Sequence, residues 1–114
     1  MRGLLSVERG CGVRERLLFR VLDGPLERLR GLLGTTGDAP PVALMGCSSI
    51  HTFGMRYRID VAFVGSSGIV LEAWESVPPG RVLGNRRAWV TLERPHRRGP
   101  WLARGERLSM TRMG

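Results

Sequence analysis

His51-Thr-Phe-Gly-Met-Arg-Tyr-Arg-Ile-Asp-Val-Ala-Phe-Val64 passes from a polar, ionisable loop straight into an apolar strand. In its second half, Ile59, Val61 and Phe63 alternate with Ala62 and Val64. Side chains on a strand alternate between its faces, so both faces are apolar and the strand is expected to be central. Asp60 lies inside the opening of that strand. Burying a carboxylate unpaired costs several kcal/mol, so Asp60 requires a cation or several hydrogen-bond donors. The nearest candidates in sequence are His51, Arg56, Arg58 and the N–H groups of the loop. Asp60 is therefore expected to pin the His51–Met55 loop to the sheet.

Outward from this strand the chain reads mostly as β structure. Gly65-Ser-Ser-Gly68 is a hairpin turn, and Ile69–Glu75 returns antiparallel until Pro78-Pro79-Gly80 breaks it. Arg87–Glu93 alternates with Ala88, Val90 and Leu92 inward, and Val42–Met45 and Arg16–Leu22 are further strands. Asp23-Gly-Pro25 has the cap and first-position residues of a helix start. Leu26, Leu29, Leu32 and Leu33 would share its apolar face, with Gly34 ending it. Pro100–Arg104 reads as one helical turn and Glu106–Met110 as a closing strand. The expectation is one compact domain over residues 13–110 with tails at 1–12 and 111–114. Its fold class is mainly β, a small antiparallel β-sandwich or barrel with one short α-helix.

The segment from Gly46 to Val64 resembles the signature of domain-of-unknown-function family 192, a small bacterial and archaeal domain. Glu27–Leu33, Gly68–Leu71, Val77–Gly80 and Arg87–Glu93 resemble, in order, its early helix, hairpin strand, proline-containing crossover and late strand. The likeness covers roughly residues 13–108. Arg94-Pro95-His96 stands where the family has a small Pro-Ala-Gly turn, and Gly105-Glu106 where it has Gly-Asp. The resemblance implies a compact, mainly β sandwich and assigns no activity.

Composition limits the functions open to the chain. Its 114 residues make one domain with a core of modest size. The apolar runs are far too short for a membrane span, and the opening ten residues lack the apolar stretch of a secretory signal. With two cysteines, Cys11 and Cys47, a reduced cytoplasmic chain is the simpler reading, although one disulfide could form. The net charge is +8, and all 18 basic residues are arginine. Arginine without lysine, in a chain with 16 glycines, points to GC-rich coding. The arginines are spread from Arg2 to Arg112, with adjacent pairs only at Arg86-Arg87 and Arg97-Arg98. A nucleic-acid face would cluster them and interleave aromatics.

Three sets of residues could carry chemistry. His51, Thr52, Arg56, Asp60 and Glu93 would line a pocket for a small polar or anionic ligand, and this non-catalytic binding or accessory role is the leading expectation. A hydrolase-type enzyme is the alternative, using Cys47 with His51 as nucleophile and base, or Asp60 with Glu93 as a carboxylate pair. A structural thiol and histidine is the simpler reading of the first pair, because free cysteine usually behaves as a small hydrophobe. Cys47, His51 and Asp60 lack paired metal-ligand spacing, so no metal is expected, and no phosphate-binding glycine motif implies a cofactor. Trp74 and Trp89 are expected to cover the sheet beneath the helix and tail; a ligand surface with Glu72, Thr91 and Glu93 is the other reading. Oligomeric state is not legible.

A non-specific, basic nucleic-acid-associated protein is the third reading, and dispersed charge makes a clear prediction for it. Binding to duplex or single strands should be indifferent to sequence and largely gone at about 0.15 M salt. Filter binding of two unrelated sequences across a salt series measures this. Hundredfold discrimination between them at that salt would overturn it.

Overall fold

The alternation in Ile59–Val64 is what organises the molecule. A computed structural model describes residues 2–9, 12 and 14–113, with backbone alone at Leu29, Arg112 and Met113. In chain order its elements are β1 (Arg2–Glu8), β2 (Arg14–Leu22), α1 (Pro25–Arg30), β3 (Val42–Met45) and β4 (Ser49–His51). They continue with β5 (Ile59–Val64), β6 (Val70–Val77), β7 (Val82–Gly84), β8 (Val90–Pro95) and β9 (Arg107–Met113). Seven strands form one sheet in the order β6-β5-β8-β3-β2-β1-β9, and β4 and β7 form a separate ribbon. All pairings are antiparallel except β2–β3, which is parallel because the connection through α1 brings the chain back in the same direction.

The sheet curls until its two ends meet. An isolated bridge joins Ile69 to Arg107, and the Val70 N–H donates to Glu106 O at 2.9 Å. The Leu108 N–H donates to Gly68 O at 2.8 Å. A Cβ at Gly68, whose φ is 88°, would lie 2.5 Å from the carbonyl oxygen of the same Leu108, so only glycine permits this approach. The mainly β, barrel-like architecture with one small helix is thus the expected class.

Two apolar layers result. Inside the curl, Leu5, Val7, Phe19, Val21, Ala62, Val64, Val90 and Leu92 pack together, with Trp101 and Leu102 closing one end. On the outer face, Ile59, Val61 and Phe63 pack with Leu22, Leu32, Leu44 and Ile50 beneath α1 and the β4–β7 ribbon. Every residue of β5 and of β8 is buried.

Several expectations are corrected. Residues 2–8, read as a tail, form β1 between β2 and β9, with Gly3, Leu5 and Val7 inward. Gly3 obscured that alternation; a Cβ there would sit 3.0 Å from the Phe19 ring. Thr111–Met113, read as a tail, continue β9. The helix has no side-chain cap and ends at Arg30, where Gly31 takes φ 51°. Leu26 is therefore 75% exposed while Leu32 reaches the core from the turn after the helix. Leu29's side chain and Cys11 lie outside the described residues. Pro100–Arg104 is not helical. Trp74 and Trp89 cover nothing beneath a helix or tail; they are 45% and 60% exposed.

Asp60 is fully buried on the inner side of β5, but its partners are not the ones nearest in sequence. Arg94 Nε donates to Oδ2 at 2.7 Å, His96 Nδ1 lies 2.8 Å from Oδ1, and the Ser76 N–H donates to Oδ1 at 2.8 Å. Ser76 has φ 55°, and the β5–β6 register shifts between Ile59 and Val61, so the carboxylate caps a β-bulge. The Arg94 guanidinium lies 4.6 Å over the Trp101 ring, whose Nε1 donates to Val61 O at 3.1 Å. Asp60 therefore pins β8 and the bulge rather than the His51–Met55 loop. Asp60→Asn keeps the volume and loses the charge, so it should destabilise by about 1–3 kcal/mol. Asp60→Leu should cost about 3–5 kcal/mol, because it leaves Arg94 buried without its counter-ion. Chemical denaturation at neutral pH checks both, and equal stability of wild type and Asp60→Asn would refute the clamp.

Candidate functional site

Glu93 lies on the opposite side of the sheet from Asp60. It pairs in register with Val61, on the outer face, whereas Asp60 pairs with Arg94. Glu93 is buried at the end of a cavity of about 280 Å³. The floor comes from β3 and β8, one wall from α1 and the turn at Gly31, and the other from residues 46–51. Leu32, Leu44, Ile50 and Met55 make apolar walls, while Arg28, Arg30, Cys47, Ser49 and His51 bring polar groups. Gly31 is required by both conformation and space. Its φ is 51°, and a Cβ there would lie 2.7 Å from Glu93 Oε1.

Burial raises the Glu93 carboxyl to about 7, and a hydrogen bond from the Leu32 backbone only partly offsets this. No salt bridge among the described residues includes Glu93. The cavity therefore holds a carboxyl that exchanges its proton near neutrality. Arg28 is anchored by donating from Nη1 to Met45 O at 3.1 Å. Exposed His51 stacks on Phe53 with ring centroids 5.6 Å apart, making an aromatic lip beside the cavity.

The expected site residues thus divide. His51 and Glu93 converge on the cavity, with Cys47 beside them. Thr52 does not: it is fully buried, donates to Pro78 O at 2.8 Å and accepts from the Arg81 N–H at 2.8 Å, fastening the crossover before β7. Arg56 is exposed and does not line the cavity. Asp60 is committed to its clamp. The Asp60/Glu93 pair fails as a joint acid and base because the sheet separates the two side chains. The Cys47 thiol donates to Ser49 O at 3.0 Å, and no thiol–imidazole bond with His51 occurs among the described residues. Among those residues no group of three His, Cys, Asp or Glu is placed to hold a metal, and no helix is long and apolar enough to cross a membrane.

Arg28, Arg30, Gly31 and Ser49 were missed as site residues. The arginines read as the solvated face of a helix, and nothing local places α1 over β8. Arg94 and His96 were missed as partners of Asp60 because they lie more than thirty residues further along the chain.

No protein-family model matches the chain, and no curated protein does. Two solved structures share its fold. One, described as a "putative transcription regulator" from Sinorhizobium meliloti, superposes with a TM-score of 0.82 at 17% identity, covering 96% of this chain and 94% of that one. The other, a protein of unknown function from Novosphingobium aromaticivorans, gives 0.75 at 15% identity, covering 93% and 83%. At these identities the likeness is one of fold.

The Glu93 carboxyl gives the site a pH signature. Its folded pKa, about 7, exceeds the ordinary 4.5, so between those values the unfolded chain has released a proton that the folded chain retains. Its contribution to stability is complete below about pH 4.5 and is lost as pH rises to about 7. Glu93→Gln removes this dependence. The stability of the variant minus that of wild type should increase by on the order of 3 kcal/mol between pH 4.5 and 8. Urea denaturation of both proteins across that range measures it, and a flat difference would mean Glu93 is solvated.

Proposed function

We propose that this small β domain is a non-catalytic ligand-binding or accessory module, and that its ligand occupies the cavity above Glu93. The observation that carries this reading is the cavity itself, lined by a buried carboxyl with no salt bridge among the described residues, by two arginines and by apolar side chains. Ligand sites commonly combine mostly apolar walls with a few convergent polar groups, and a perturbed carboxyl is a frequent mark of one. At about 280 Å³ the cavity lies just below the usual range for drug-sized ligands, so its guest is small. The hydrolase alternatives lack this support, since Asp60 and Glu93 lie on opposite sides of the sheet and the Cys47 thiol donates to Ser49 O rather than to His51.

We also propose that the chain is a divergent member of domain-of-unknown-function family 192. The ordered motifs from Glu27 to Glu93, centred on the Gly46–Val64 signature, support this. The cavity draws on the His51 end of that signature and on Met55, while Asp60 holds the strand in place. The word "regulator" applied to the Sinorhizobium protein describes that protein; the dispersed arginines of this chain do not favour a nucleic-acid role.

An amide NMR screen with a panel of small polar and anionic compounds tests the binding role. Binders should shift the amides of Gly31, Cys47, Ser49 and His51. Glu93→Gln should weaken them by at least tenfold, equivalent to about 1.4 kcal/mol. Shifts confined to other surfaces would sink the assignment.

A further inference from the structure

We propose, resting on that reading of the cavity, that its ligand is a small amino-acid zwitterion, held with its ammonium group on Glu93 and its carboxylate on Arg28 and Arg30. The argument is one of unmet charge. Among the described residues, Glu93 is the only acidic side chain lining the cavity, is 3% exposed, and pairs with no cation. Half-buried Arg28 and exposed Arg30 line the same cavity, and neither forms a salt bridge with Glu93. A simple anion would answer the arginines and leave Glu93 without a partner. A simple cation would answer Glu93 and face the arginines unscreened. A molecule carrying both charges satisfies both ends, and charge-assisted hydrogen bonds in a partly desolvated site are the strong ones. Leu32, Leu44, Ile50 and Met55 then leave apolar room for a compact aliphatic side chain.

This arrangement couples binding to a proton. The titratable and charged groups facing Glu93 are Arg28 and Arg30 from α1, Cys47 from the loop after β3, and His51 from β4; β3 itself contributes only apolar Leu44. An ammonium group stabilises the ionised carboxylate, so a molecule binding at pH 6 must displace the Glu93 proton. Because that carboxyl ionises at about 7, affinity should rise roughly tenfold per pH unit below pH 6, about fivefold from pH 6 to 7, and level off above that.

The test uses the full chain and three probes of similar shape: L-leucine, 3-methylbutylamine (which lacks the carboxylate) and 4-methylpentanoate (which lacks the amine). Isothermal titration in two buffers of different ionisation enthalpy reads affinity and proton release, and amide NMR reads location. L-leucine should bind best, shift the cavity amides, release protons at pH 6 and gain about fivefold in affinity from pH 6 to 7. Each truncated probe should bind at least tenfold more weakly, and Glu93→Gln should abolish both binding and proton release. Proton release is measured on wild type, so the proposal stays testable even if the variant folds poorly. Tighter binding of 4-methylpentanoate at the cavity amides, with proton uptake, would overturn the zwitterion and leave the cavity reading standing. No cavity response to any of the three overturns the zwitterion; a blank broader panel would remove the cavity reading as well.

Discussion

β5 and β8 are covered on both faces, and that one constraint governs where polar groups can sit. In a strand with a single buried face, a carboxylate reaches water by occupying the other face. Here neither face offers water, so each acidic residue on the pair must be neutralised by a partner or take up a proton. The two carboxyls use different solutions. Asp60, inside the curl, accepts three donors at 2.7–2.8 Å, one of them from a guanidinium. Glu93, on the outer face, receives the Leu32 backbone donor, forms no salt bridge among the described residues and lines the cavity. The fully satisfied group is structural, and the under-satisfied one marks the site.

The closed sheet and the layer above it have separate tasks. The curl buries one apolar set and joins the start of β6 to the start of β9 through the Ile69–Arg107 bridge. α1 and the β4–β7 ribbon bury the second set, but they do not meet over Glu93. The helix ends after Arg30, and Gly31 passes so close to Glu93 that a Cβ there would lie 2.7 Å from its Oε1. Thr52 ties the far end of β4 to the crossover, holding His51 at the lip.

Arg94-Pro95-His96, the stretch that departs from the family pattern, supplies two of the three donors to Asp60. Arg94 also stacks on Trp101, which in turn donates to the β5 backbone. The departing turn and the signature strand therefore form one unit, linked through an aromatic ring that also closes the end of the inner core. A change in either half would leave a buried charge in the other unpaired.

The sequence by itself determined the β class, the central strand at Ile59–Val64, the hairpin after it, and the need for Asp60 to be paired. All of these follow from alternation and from the cost of burying charge, which are local properties. It also pointed to His51 and Glu93, since polar groups beside buried strands are few. Only the tertiary structure decided which partners Asp60 takes, that Arg2–Glu8 is a strand, and that Asp60 and Glu93 face opposite sides. It alone placed Arg28 and Arg30 beside Glu93. These depend on strand order, on the parallel return through α1 and on a bulge at Ser76 that shifts register. Such features join residues tens of positions apart, and no local pattern encodes which distant strand a given strand will lie beside.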